Sequence, residues 1–322
     1  MSAPRIVVVG SLNMDLVVSA ERMPLVGETI EGKEIHYIPG GKGANQAVGC
    51  ARLGADTAMI GAVGDDGFGA QLLDALVREG IDAGAVARLA GTSTGTATIL
   101  HTPQDNCIVI VPGANGLVTP EAVEAQRRLI EAADLVLAQL EIPLPAVERA
   151  LAIARAAGVA TVLNPAPARA LPDELVRLAD WMTPNETEFA ALYGSPLAAP
   201  DDAVSDDAVS DDGAPDVPLD ALERAIIDWQ ERRGCRLVVT LGGRGAALVE
   251  DGRLHVVPAP KVTPVDTTGA GDCLNAAFSV RLASGRPPLE ALGYAVRAAS
   301  VSVTRFGAQA GMPTPDEVEA LK

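Results

Sequence analysis

The stretch Pro-Val-Asp-Thr-Thr-Gly-Ala-Gly-Asp-Cys-Leu-Asn-Ala-Ala-Phe at 264–278 joins a flexible turn to an apolar helical pattern. Thr267 and Thr268 lead into Gly269-Ala270-Gly271, Asp272 closes the turn, and Leu274, Ala277, Phe278 and Leu282 follow at helical spacing. A turn that runs into a helix leaves the first N–H groups unpaired at the positive end of the helix dipole. Such a site suits an anion, above all a phosphate. An anion cradle that ends in a carboxylate suits phosphoryl transfer: the amides meet the charge on the moving group and Asp272 accepts the acceptor's hydroxyl proton. The plainer alternative is a Thr/Gly turn with Asp272 as a helix N-cap.

Two other stretches carry polar groups of the right kind. Ile6–Val9 is a β-branched run ending at Gly10, a strand buried on both faces, and Asn13 and Asp15 follow at its carboxyl end, where open α/β sheets hold ligands. A dinucleotide fingerprint would need G-x-G-x-x-G there and only Gly10 is present. The pair could hydrogen-bond hydroxyls or form a local Asx-turn. Pro39-Gly40-Gly41-Lys42-Gly43-Ala44-Asn45-Gln46 opens a helix through Val48, Ala51 and Leu53. It is not G-x-x-x-x-G-K-[ST], because Gly43-Ala44-Asn45 follows Lys42 where Ser or Thr should stand. Backbone amides at the Gly-Gly pair, with Lys42 and Asn45, could grip a small polar ligand; a glycine-rich helix start with a solvated lysine is the alternative.

The elements that position these residues read as an alternating α/β chain. Ala58–Val63 is a strand, and the helix through Leu72, Leu73, Leu76 and Val77 begins after Asp65-Asp66, an acidic N-terminal charge. From 119 onward helices at 120–132 and 144–157 alternate with strands at Leu135–Leu140, Ala160–Leu163, Trp181–Pro184 and Leu237–Thr240, as in a parallel sheet. If these are parallel, Glu141, Asn185, Glu188, Gly242 and Asp272 converge on one carboxyl edge. Residues 16–38 and 95–111 read as short antiparallel strands that combine into a small sheet standing off the body as a lid, with strands from about 12–40 and 95–112. The segment 198–218 repeats Asp-Asp-Ala-Val-Ser, is strongly acidic and predicts a disordered surface loop, and it lacks calcium-loop spacing.

Composition narrows the function class. A length of 322 residues and 48% hydrophobic content allow a sizeable core, but with 3% aromatics it must pack from Ala, Val, Leu and Ile. The formal net charge of −17 argues against nucleic acid or an anionic membrane as partner. A nucleotide would then need local devices: a divalent cation, helix N-termini and a few placed cations. Cys50, Cys107, Cys235 and Cys273 lie far apart with no C-x-x-C, the pattern of reduced thiols. With no leader pattern and no long apolar run, a soluble cytoplasmic protein is expected.

Taken together, Gly10-Ser-Leu-Asn-Met-Asp15, Gly40-Gly-Lys-Gly-Ala-Asn45-Gln46, Val111-Pro-Gly-Ala-Asn115, Asn185-Glu-Thr-Glu188 and Asp266-Thr-Thr-Gly-Ala-Gly-Asp272 resemble the ribokinase branch of the PfkB-type sugar kinases, in order from about residue 5 to 316. The resemblance implies a single three-layer α/β/α domain over 1–322, a mostly parallel sheet, and a β-lid that often pairs subunits into a homodimer. It implies transfer of the ATP γ-phosphate to the 5-hydroxyl of D-ribose. By position, Asn13, Asp15, Gly40, Gly41, Lys42, Asn45 and Glu141 would hold the sugar, Gly269, Ala270 and Gly271 would form the anion hole, and Asp272 would be the base. Asn185 and Glu188 would organise Mg²⁺ through water. Asn185, Thr240, Gly242, Gly245, Gly271 and Asn275 would border the nucleotide, and Asp266, Thr268, Ser302, Arg305 and Gly307 would surround K⁺, largely through carbonyls. Two features depart from the family pattern: the length of the acidic loop, and Cys273-Leu274 where a small hydroxyl residue and Phe are commoner. A kinase for deoxyribose, fructose or a nucleoside, and a non-catalytic sugar-sensing domain, are the alternatives.

Overall fold

The computed structural model describes residues 3–104, 106–194 and 217–321. The expected acidic loop at 198–218 lies outside the described residues except for Val217 and Pro218.

The apolar run after Arg5 forms the central strand β1 (Arg5–Val9), and its side chains alternate between two cores. Ile6 and Val8 enter one, Val7 and Val9 the other, so a strand with no polar face is what the position demands. β1 pairs in parallel with β4 (Asp56–Gly64) on one side and β8 (Leu135–Ala138) on the other. Beyond β4 lies β5 (Asp82–Leu89); beyond β8 follow β9 (Ala160–Leu163), β10 (Trp181–Met182) and β11 (Arg236–Thr240), all in parallel pairings. β12 (Ala246–Glu250) and β13 (Arg253–Val257) extend this edge by antiparallel pairing. The nine-stranded order is β13-β12-β11-β10-β9-β8-β1-β4-β5.

Helices cover both faces. Ile6, Val8, Leu135 and Leu137 pack against α1 (Lys42–Arg52), α2 (Gly67–Arg78) and the helices Ala270–Ala283 and Pro288–Ser302. The opposite face packs against Leu144–Ala156, Glu186–Tyr193 and Leu219–Arg233. This is the three-layer α/β/α architecture. The few aromatics concentrate in these cores, as in the edge-on pairs Phe189–Trp229 and Trp181–Phe278.

A second sheet has the order β3-β2-β6-β7, built from β2 (Asn13–Ser19), β3 (Glu34–Gly40), β6 (Gly95–His101) and β7 (Asn106–Val111). The two stretches expected to be antiparallel hairpins are so internally, but they join through a parallel pairing of β2 with β6. Both strands leave the body on the same side, which only a parallel junction allows. Thr29 and Ile30 belong to no strand. The expected helix at 120–132 is two short ones, Pro120–Glu124 and Arg127–Glu131, which bury Val123 and Ile130 on either side of the break.

Candidate active site

The site forms where β1 and β8 to β11 end, beside the root of the small sheet. α1 begins there because Gly41, at φ 88°, turns the chain from β3 into the helix, a conformation that L side chains rarely adopt. No side chain caps this helix. Glu141, just past β8, meets its start instead: Oε2 accepts from the Lys42 amide at 3.0 Å and from Ser11 Oγ at 2.5 Å. Glu141 thereby ties the ends of β1 and β8 to the Gly-Gly turn, and the Asp15 carboxylate fills the space that a Cβ on Gly40 would need. Asn13 is held by Asn115, whose amide donates to Asn13 Oδ1 at 2.8 Å and to the Leu12 carbonyl at 3.0 Å.

Asp272 lies in the first turn of the helix Ala270–Ala283, whose N-cap is Gly269 at φ 78°. Asp272 is therefore not the cap. Its carboxylate points inward, 6% exposed, and accepts from Asn45 Nδ2 and Gln46 Nε2, each at 2.9 Å. The turn has no side-chain cap, and among the described residues no acceptor meets the amides of Gly271 and Asp272. A Cβ built on Gly271 would meet nothing within 4 Å. Unpaired donors facing open space at a helix start fit a phosphate group.

Charge in the site is crowded. Burial pushes Asp272 up, against the pull of Lys42, Asn45 and Gln46. Burial, with Glu141 and Asp272 nearby, pushes Asp15 up to about 7. For Lys42, burial opposes the charge but Asp272, Glu141 and Glu188 outweigh it and hold the ammonium above its usual range. Burial also raises Glu188. Three carboxylates around one lysine leave room for additional positive charge.

The remaining sequence-derived candidates fall into three groups. Asn185 and Glu188 form a capping box on the helix Glu186–Tyr193: Asn185 Oδ1 accepts from the Glu188 amide at 2.7 Å, and Glu188 Oε2 accepts from the Asn185 amide at 2.9 Å. Each keeps acceptor capacity, but no group of three or more metal-ligating His, Cys, Asp or Glu exists among the described residues. A Mg²⁺ here fits only if phosphate and water complete its shell. Thr240 ends β11 and bridges to Asn185, while Gly242 and Gly245 shape the next turn. Asn275 is 1% exposed; it donates to the Gly271 carbonyl at 2.8 Å and accepts from Thr183 Oγ1 at 2.5 Å, which fixes the back of the anion turn.

The third group surrounds Asp266. Its carboxylate accepts from the Thr268 amide at 2.9 Å and the Gly307 amide at 2.8 Å, joining two loops. Ser302 Oγ donates to the Ala299 carbonyl, and the Arg305 guanidinium turns away to pair with Glu317. What these residues offer a monovalent cation is backbone carbonyls.

Several residues of the site carry no role in the sequence reading. Ser11, Gln46 and Asn115 lie inside motifs that were visible, but Gln139, Asn164 and Thr183 announce themselves only as polar residues at the ends of apolar strands.

A two-faced α/β sheet that sets an uncapped helix start beside a buried carboxylate has the parts of a small-molecule phosphotransferase. The chain belongs to the pfkB family of carbohydrate kinases, whose model matches residues 3–315. It is 41% identical over 316 residues to the ribokinase of Bacillus subtilis, covering 98% of each chain. It is 33% identical to the deoxyribokinase of Salmonella typhimurium, covering 97% of this chain and 96% of that one. The structure of Arabidopsis thaliana ribokinase complexed with ribose and ATP matches it with a TM-score of 0.87 at 33% identity, covering 100% of this chain and 99% of that one.

Proposed function

We propose that this kinase transfers the γ-phosphoryl group of ATP to the 5-hydroxyl of D-ribose, giving D-ribose 5-phosphate and ADP. The observation that carries the reading is the juxtaposition at Asp272: a buried carboxylate held by two amides, one residue from an anion turn that opens on free space. Asn13, Asp15, Gly40, Gly41, Lys42, Asn45 and Glu141 orient the sugar. Asp272 takes the proton of the 5-hydroxyl as that oxygen bonds to the γ-phosphorus and the bond to the ADP oxygen breaks in line. The amides of the Gly269-Ala270-Gly271 turn meet the charge that develops on the transferring oxygens. Thr240, Gly242, Gly245, Gly271 and Asn275 border the nucleotide.

Asn185 and Glu188 would hold a Mg²⁺ through water, and the ion would supply charge neutralisation for the phosphates. Asp266, Thr268, Ser302, Arg305 and Gly307 would surround a K⁺, largely through backbone carbonyls, and the ion would supply positive charge beside the anion turn. The small sheet closes as a lid over the sugar, which matters because hydrolysis of ATP competes with transfer. The same sheet pairs two copies of the chain into a homodimer.

The test is ADP release from ATP–Mg²⁺ with D-ribose, 2-deoxyribose, fructose and adenosine, with and without K⁺, for wild type and Asp272→Asn. Ribose-dependent turnover should fall about 10²- to 10⁴-fold in the variant, the usual worth of a general base. Turnover confined to 2-deoxyribose would keep the chemistry and change the acceptor; an active Asp272→Asn would remove the base.

A further inference from the structure

Behind the base runs a chain of buried side-chain amides that the phosphotransfer reading does not use. It starts from a group whose role is fixed, the backbone carbonyl of Thr183, which can only accept. Asn164 must therefore present Nδ2 to it, at 3.2 Å, and turn Oδ1 the other way. Gln46 must then present Nε2, which donates to Asn164 Oδ1 at 3.1 Å and to Asp272 Oδ1 at 2.9 Å. Its own Oε1 is left facing Gln139, whose Nε2 donates to it at 2.6 Å. Each amide is fixed by the next, so the orientation follows from satisfying the donors and acceptors. Gln46 and Gln139 are fully buried, and Gln139 Oε1 has no partner among the described residues. A buried amide with an unmet oxygen costs stability, so the core gives up something to keep Gln139 there.

We propose that Gln46, oriented by Asn164 and Gln139, is the positioning residue that holds the Asp272 carboxylate in its reactive plane; this rests on the reading of Asp272 as the base. Asn45 fixes one carboxylate oxygen, and Gln309 Nε2 steadies Asn45 by donating to its Oδ1 at 3.2 Å. Gln46 fixes the other oxygen, and two bonds on two oxygens stop rotation about the side chain's last torsion. One lone pair on each oxygen stays available. An uncharged donor can hold the carboxylate without occupying the space where the sugar and phosphate carry charge.

The test is the pH profile of kcat at saturating D-ribose and ATP–Mg²⁺ for Gln46→Met, which has similar length and no donor. Saturation keeps the titration of free-enzyme Asp15 out of the profile. The other groups facing Asp272 are unchanged in the variant: Lys42 on α1, Glu141 after β8, Glu188 on the Glu186–Tyr193 helix and Cys273 beside it. Losing a donor that favours the carboxylate makes Asp272 take its proton at higher pH. The acid limb should therefore move up by about one unit, with kcat down about 10- to 100-fold and the ribose KM within about threefold. Gln139→Met, which leaves every bond to Asp272 in place, should move the limb in the same direction by less. If Gln46→Met does not fold, Gln139→Met carries the decision. A folded variant with an unmoved acid limb, whatever its kcat, reduces Gln46 to a packing role and overturns the proposal. Asp272→Asn in the same assay separates the two readings: wild-type turnover there removes the base itself, whereas an inactive Asp272→Asn beside an unmoved Gln46→Met limb removes only the positioning role.

Discussion

At the scale of single residues, the chemistry of this site is set by how few positive charges offset its carboxylates. Asp15 shows the consequence most directly: burial first, then Glu141 and Asp272, push it up to about 7. Folded protein keeps this proton at pH values where the unfolded chain has lost it. The group's contribution to stability therefore declines as pH rises from about 4 to about 7 and is level above that. Sugar hydroxyls that donate to Asp15 favour its ionised form, so ribose binding near pH 6 should expel about one proton. Calorimetry in two buffers of different ionisation enthalpy measures this directly, and Asp15→Asn should abolish the difference; equal heats for the wild type would show that Asp15 does not accept from the sugar. The sequence revealed the type and setting of Asp272 well, because a glycine turn and the carboxylate are neighbours. That Gln46 would touch this carboxylate was hidden. Gln46 lies 226 positions away, and a glutamine in a helix carries no periodicity that could point to it.

At the scale of elements, legibility followed the hydrophobic pattern. Strands buried on both faces, such as β1 and β8, are continuous apolar runs and stand out in the sequence. β5, β12 and β13 did not stand out: β5 and β13 are half-exposed and interrupted by Arg and His, and β12 follows the Gly-Gly-Arg-Gly turn that drew attention to itself. The parallel β2–β6 junction was illegible because it joins segments about 80 positions apart, and alternation does not encode partner direction. What fixes that junction is a pair of side-chain anchors at its root. Asp66 caps α2 by accepting from the Gly69 amide at 2.8 Å, and it also holds Thr94, just before β6, through the amide at 2.8 Å and the hydroxyl at 2.6 Å. Asn115 binds both the amide and the carbonyl of Leu12, as a neighbouring strand would, and holds Asn13 as well. Asn115→Ala leaves buried backbone groups of Leu12 unmet, which should lower stability by about 2–4 kcal/mol in urea unfolding. It should also raise the ribose KM severalfold with less effect on kcat, because Asn13 loses its support while Asp272 does not. An unchanged KM in a destabilised variant would confine Asn115 to the fold.

At the scale of the molecule, the small sheet is out of balance with its surroundings. β7 forms one edge of that sheet, and its four apolar residues Ile108, Val109, Ile110 and Val111 are between 48% and 58% exposed. Every residue of the strand is exposed, so neither face is covered by the body. An open edge flanked by β-branched side chains on both faces is a template for pairing with another chain, and monomeric proteins usually blunt such edges with charge or proline. The chain as a whole carries a net charge of −17, which opposes indiscriminate association. A two-fold pairing that covers the strand would satisfy its backbone and bury the apolar face, while the same charge keeps the product from growing further. Placing lysine at two positions on one face, Ile108→Lys with Ile110→Lys, should convert a sedimenting dimer to a monomer. The partners of Asp272, Asn45 and Gln46, lie on α1 and not on β7, so Asp272 keeps them in such a monomer. The loss should then fall on ribose affinity, through a less steady lid, with kcat at saturation reduced by no more than about threefold. A wild-type chain that sediments as a monomer at micromolar concentration would leave the exposed strand without this partner, and a dimer unaffected by both lysines would place the interface on another face.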